Sequence, residues 1–247
     1  MENSIYLALS KQLVQRTNMN VIANNIANMN TSGYRGQNLV FEEYLFDQKG
    51  RNVDPRAAGD ELSFVYNRSQ YENTAPGSLT YTGNSLNAAI EGPGFFGMQG
   101  PNDEIMYSRA GEFQLDANGT LLSSAGFPVA DQGGASIVIP PNSSEIKIDQ
   151  KGFVSNQDGQ IGQIMVKEFD DVQSLEAYGN NLYRSPEEGK PPENSRVMQG
   201  QVEGSNVQPI VEMTRMIETL RGYQSTQNVL KTENERLRGA IQKLTGQ

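Results

Sequence analysis

Apolar residues recur at helical spacing at both ends of the chain and at strand-like spacing between them. From Ser4 to Asn28, Ile5, Leu9 and Leu13 stand four apart, and Met19, Ile22, Ala23 and Ile26 continue the face, which predicts a helix. It closes in Asn28-Met29-Asn30-Thr31-Ser32-Gly33, rich in turn formers. A second helix opens at Pro209, a favoured first-turn residue, and runs to about Leu244. Along it Met213, Met216, Leu220, Tyr223, Gln227, Leu230, Asn234, Leu237, Ile241 and Leu244 alternate steps of three and four, a heptad seam of about four repeats. The amides Gln227 and Asn234 within the seam lower stability but fix register and partner number. The spacing fits a helix-to-helix seam, within the chain or between chains, or an amphipathic helix packed on its own domain.

Between the helices the period changes. Leu62–Tyr66, Ser136–Ile139, Glu145–Ile148 and Gln163–Val166 read as short strands. Ala117-Asn118-Gly119, Gly133-Gly134 and Gln157-Asp158-Gly159 supply tight turns, and two Pro-Pro pairs exclude helix at 140–141 and 191–192. Leu115-Asp116-x-x-Gly119-x-Leu121 is echoed by Ile148-Asp149-x-x-Gly152-x-Val154, one hairpin unit used twice. The pattern predicts a mixed α and β fold: an all-β central domain between long terminal helices.

Composition then narrows the function. The 247 residues contain no His and no Cys, which removes Ser-His-Asp triads, imidazole and thiolate metal sites, disulfides and thiol nucleophiles. Twenty basic against 29 acidic side chains give a net charge of −9, unsuited to phosphate backbones, so nucleic acid is not an expected partner. No apolar run approaches a membrane span, and the first residues lack the basic start of a cleaved secretory signal.

Candidate sites meet plainer explanations. Asp116-Ala117-Asn118-Gly119 resembles the start of a calcium loop, but Thr120-Leu121-Leu122-Ser123-Ser124 lacks the distal ligands, so a hairpin turn is expected. Gly92-Pro93-Gly94-Phe95-Phe96-Gly97 has no Lys-Ser/Thr end for a phosphate cradle; its aromatic pair is expected in the β-core. The acidic pairs Glu42-Glu43, Asp170-Asp171 and Glu187-Glu188 point apart and form no acid–base dyad. No catalytic, cofactor or metal residues are assigned. Tyr178 and Tyr183 are the only start of a sugar-binding platform, the competing reading as a secreted β-domain binding module.

Four segments carry a family resemblance. Val21-Ile22-Ala23-Asn24-Asn25-Ile26-Ala27-Asn28-Met29-Asn30-Thr31-Ser32-Gly33-Tyr34-Arg35 and Gln201-Val202-Glu203-Gly204-Ser205-Asn206-Val207 resemble the end signatures of the bacterial flagellar rod and hook proteins. Gly92-Pro93-Gly94-Phe95-Phe96 and Tyr107-Ser108-Arg109-Ala110-Gly111-Glu112-Phe113 resemble its central elements, in the same order. Further stretches at 5–6, 63–66 and 82–90 look most like the proximal-rod members, with distal-rod and hook-type axial members as near rivals. Asn87-Ala88-Ala89-Ile90 departs from the acidic and branched residues usual there.

The resemblance implies a structural subunit rather than an enzyme, one that polymerises into the tubular drive shaft between motor and hook. Its implied location is the periplasmic rod, reached through the flagellar export apparatus without a cleaved signal, with copies of itself and other rod proteins as partners. It divides the chain into 1–35 and 201–247 for assembly, 36–75 as an extended connection, and 76–200 as the outer β domain. The terminal helices would pair in a coiled-coil-like inner layer. Its implied subunit interface takes Ile5, Leu9, Leu13, Ile22 and Ile26 on one side of the seam. On the other it takes Met213, Met216, Leu220, Tyr223, Leu230, Leu237 and Ile241, with Asn24, Asn25, Asn28, Gln227 and Asn234 setting register.

Overall fold

A computed structural model describes residues 2–47, 61–101, 104–143 and 145–246. The chain divides into two compact units. The first joins helix α1 (Glu2–Ala27), helix α2 (Pro209–Thr245), and strands β1 (Gln37–Asp47) and β2 (Glu61–Glu72). The expected extended connection is thus a long antiparallel hairpin, with a bulge between Val40 and Phe41; its residues 48–60 lie outside the described residues. So does the Leu244 side chain. The helices form where the periodicity places them, and α2 stops at Gly246, whose φ of +72° suits a glycine C-cap.

The second unit is mostly β, with a 3₁₀ turn at Val172–Ser174, and it also takes in residues 28–36. Its largest sheet is antiparallel, with β12 (Val166–Lys167), β5 (Phe95–Gln99), β6 (Ile105–Ser108), β14 (Leu182–Arg184) and β13 (Glu176–Gly179) side by side. Around it stand the pairs β3 (Leu79–Tyr81) with β16 (Gln201–Glu203), β4 (Ala88–Glu91) with β15 (Arg196–Gln199), and β7 (Phe113–Leu115) with β8 (Leu121–Ser123). Strands β9 (Lys147–Ile148), β10 (Phe153–Asn156) and β11 (Gly159–Gln163) complete it. Expected strand 136–139 makes only isolated bridges, from Ser136 and Val138.

Phe95 and Phe96 are both fully buried but on opposite faces, as strand alternation requires. Phe96 enters the main core with Met98, Met106, Leu121 and Val154, edge-to-face with Phe113 at 5.3 Å. Phe95 enters a smaller core with Tyr107 and Tyr183. Tyr183 is therefore unavailable for an exposed sugar platform.

The repeated turn occurs four times among the described residues. Asp116 Oδ1 accepts hydrogen bonds from the backbone N–H of Asn118 and Thr120, and Asp149 Oδ1 from Lys151 and Phe153. Asp131 does the same for Gly133 and Ala135, and Ser123 Oγ accepts from Phe127. In each, the glycine three residues on (119, 126, 134 or 152) has φ between +79° and +85° and donates back to the first residue's carbonyl. The carboxylate of Asp116 is occupied by its own turn, which explains its aspartate without calcium.

The Thr120 amide, aided by that of Asn118 and opposed by burial, holds the Asp116 carboxyl below its ordinary 3.8. A lowered folded pKa contributes stability that is complete above the unfolded value and is lost as pH falls through the folded one. Asp116→Ala is therefore expected to reduce thermal stability at neutral pH, with a gap from the parent chain that narrows as pH falls below the ordinary carboxylate range. Paired melting curves across that range check this; an equal gap at both ends would refute it.

Candidate assembly interface

Helices α1 and α2 pack antiparallel, and three polar pairs set their register. The Asn25 amide donates to the Glu212 carboxylate (3.2 Å), the Asn18 amide to the Thr219 hydroxyl (3.3 Å), and the Thr226 hydroxyl to the Gln15 side-chain oxygen (3.3 Å). Glu212, Thr219 and Thr226 stand seven apart, one residue before the expected apolar row. Gly222 lies in the same contact, where an added Cβ would come within 2.5 Å of the Gln15 amide nitrogen. Small and polar side chains thus bring the helices close. The signal was present as a second heptad row, but its polarity hid it.

Asn25 is the most heavily used of these residues. It is buried; its Oδ1 accepts from the Gln37 N–H and its Nδ2 donates to the Gln37 carbonyl, both at 2.9 Å. One amide therefore fixes the end of α1, the start of β1 and the first turn of α2. The Arg215 guanidinium completes the group by donating to Glu212 at 2.8 Å.

The expected seam divides into two rows. Met216, Tyr223, Leu230 and Leu237 are partly covered, and on α1 Ile22 is buried while Ile5 and Ile26 are half-buried. The alternate row is open: Met213, Leu220 and Ile241 are 47%, 43% and 59% exposed, and Gln227 and Asn234 lie along it. Leu9 and Leu13 are likewise 45% and 56% exposed. Asn24 is exposed, and Asn28 belongs to the β unit, where its carbonyl accepts from the Thr31 N–H at 3.1 Å. Sequence reasoning did not single out Tyr6, Ile210 and Ile217, which widen the open rows.

Within the β unit the four signature segments meet at one buried cluster. Arg35 and Arg109 lie over the Phe95 ring at 5.0 and 5.2 Å, and Arg109 Nε is 3.6 Å from Glu203 Oε2. Arg109 also donates to the Gly92 carbonyl at 2.6 Å, and the other Glu203 oxygen accepts from the Gly77 N–H at 3.0 Å. Burial pushes the Arg109 guanidinium down to about 10; Glu203 opposes this and Arg35 adds to it. Arg35 Nε and Nη1 have no hydrogen-bond partner among the described residues. The cluster thus buries two cations against one carboxylate.

Backbone contacts hold the same segments together. Gly33, at φ +67°, donates to the Glu203 carbonyl at 2.8 Å, and a side chain there would strike the backbone of Arg109 and Ala110. Asn206 accepts from the Gly36 N–H (2.8 Å) and donates to the Ala75 carbonyl (2.7 Å). The signature residues are accordingly packing residues.

Charge is partitioned between the units. The β unit carries 17 acidic and 8 basic side chains and so holds the whole net charge of −9, whereas the helical unit has 12 of each. Copies of a neutral helical unit can approach without long-range repulsion.

Three family models match the chain: flagella basal body rod protein at residues 5–35, flagellar hook protein FlgE/F/G D1 domain at 89–156, and flagellar basal body rod FlgEFG protein C-terminal at 198–243. Flagellar basal-body rod protein FlgF of Caulobacter vibrioides is 32% identical over 99% of this chain and 98% of its own length. FlgF of Mesorhizobium japonicum is 34% identical over 94% and 93%, respectively. FlgG of Buchnera aphidicola subsp. Schizaphis graminum is 34% identical over 95% and 96%.

Proposed function

The chain belongs to the flagellar basal-body rod protein family, and from that membership we propose that it is a structural subunit of the proximal rod, polymerising through its terminal helices. The observation that carries this is the pair of open apolar rows on an electrically balanced helical unit. Monomeric proteins seldom leave such contiguous faces to water. In the rod, neighbouring copies and other rod proteins would cover them. The subunit acts by packing, not catalysis, and transmits torque through many repeated contacts.

The location that follows is the periplasmic rod, with the flagellar export apparatus as a transient partner. A chain without cysteine forms no disulfide that would block passage unfolded into an oxidising compartment. A distal-rod position is the second reading, favoured by the FlgG relative whose 34% identity equals that of the Mesorhizobium FlgF.

Leu9→Ser with Leu220→Ser tests the proposal. Both side chains are exposed, so each change is expected to alter chain stability by no more than about 0.5 kcal/mol. The variant should nevertheless be exported, fail to enter basal bodies and abolish swimming. Normal motility with wild-type incorporation would refute assembly through these faces.

A further inference from the structure

Each open row has its apolar patch at an opposite end of the helical pair. The register of Asn25 with Glu212 and Asn18 with Thr219 places the start of α1 beside the second half of α2. Tyr6, Leu9 and Leu13 therefore form an apolar patch at one end. Ile210, Met213, Ile217 and Leu220 form the other, where α2 begins. Beyond Leu220 the same row of α2 turns polar through Gln227 and Asn234 before the isolated, exposed Ile241 near its end.

Resting on the rod-subunit reading, we infer that these patches are the two halves of one contact between copies. The start of α1 in one copy seats on the start of α2 in the next. Charge favours that pairing. The first patch is flanked by Lys11 and Arg16 against Glu2, whereas residues 209–220 present Glu218 beside the Glu212–Arg215 pair, whose carboxylate is buried. The later part of α2, beside which α1 starts within its own chain, carries Arg221, Lys231, Arg236, Arg238 and Lys243 against Glu233 and Glu235 and so is net basic.

The pairing also fixes a stagger. Continuing the observed register, Leu9 lies level with Asn228 of its own chain; seating it on Ile217 of the next copy shifts the helices by about eleven residues, or about 16 Å at 1.5 Å per residue. Two different patches joined with a displacement make a head-to-tail contact that does not close on itself, as an open helical array requires. Each patch has only three or four large side chains, well short of the roughly 800 Å² per partner of a stable dimer. The contact holds only when repeated in an array, and the purified chain is expected to be a monomer.

The absence of cysteine allows a direct test. The full-length double variant Leu9→Cys/Ile217→Cys is expressed in place of the parent chain, and isolated basal bodies are oxidised. Within one chain these positions are about 16 Å out of level, beyond disulfide reach. The expected result is a disulfide-linked dimer and higher ladder, cleared by reductant and absent from Leu9→Cys alone. Incorporation without a Leu9–Ile217 adduct, or an adduct only with a different rod protein, overturns the proposed contact while leaving the rod reading intact. Absence of the cysteine-free parent chain from basal bodies isolated from the parent strain would instead overturn the rod reading itself.

Discussion

Replacing Glu203 with alanine is expected to destabilise the β unit by about 3–5 kcal/mol, the usual consequence of removing one partner from a buried ion pair. Among the described residues this carboxylate is the one ion-paired within the Arg35–Arg109 cluster, all three side chains being nearly inaccessible to water. Without it, two guanidiniums share the Phe95 ring with no counter-charge, and the Gly77 N–H loses its acceptor. Urea unfolding of the full chain, followed by the near-ultraviolet tyrosine signal, reads the change through the adjacent Tyr107 and Tyr183. Glu203→Gln keeps an acceptor for Gly77 and should fall between the parent and the alanine variant. Glu145→Ala removes the exposed partner of Lys147 and should change stability by less than about 1 kcal/mol. If Glu203→Ala cost no more than this control, the buried cluster would not be what joins the signature segments.

The cluster also shows where sequence reading stops. Its residues stand out individually at Arg35, Phe95, Arg109 and Glu203, but they are spread along most of the chain, and nothing local says that they meet. The heptad of α2 was legible for a different reason: its period is written in adjacent turns. A period of seven, however, is shared by every row of the helix. The sequence therefore could not say that Glu212, Thr219 and Thr226 face α1 while Met213 and Leu220 remain open. Polar residues won the intrachain contact because hydrogen bonds and the missing side chain of Gly222 allow close approach, leaving apolar positions for other surfaces.

The turns fall between these cases. Two copies were visible because Asp116 and Asp149 are flanked by large apolar residues. The copies at Ser123 and Asp131 were hidden because a hydroxyl replaces the carboxylate in one and Ala130 and Ser136 flank the other. The hydrogen-bond geometry tolerates both changes; the text pattern does not. The hairpin of β1 and β2 was foreseen only at Leu62–Tyr66, since a two-stranded ribbon needs no continuous apolar run.

Gly111→Ala is expected to be more damaging still, at about 4–5 kcal/mol or more. A Cβ at this position would fall on the Ala88 carbonyl oxygen and press on the Phe96 ring. The Ala88 N–H donates to the Gly111 carbonyl at 2.9 Å, so the two backbones cannot separate without losing that bond. Ala88 and Phe96 are fully buried in the main core, which leaves no open side into which the clash can relax. The backbone of Gly111 is not left-handed, so the cost is steric and not torsional. Gly126→Ala separates the two effects. Gly126 has φ +85° with no atom within 4 Å of an added Cβ, and its cost should be the left-handed penalty alone, about 1–2 kcal/mol. Melting temperatures of the two variants, with trypsin digestion of the native chains, make the comparison. Equal losses would mean that β4 yields to the added methyl; the expected outcome is a Gly126→Ala chain that keeps its resistant β core and a Gly111→Ala chain that does not.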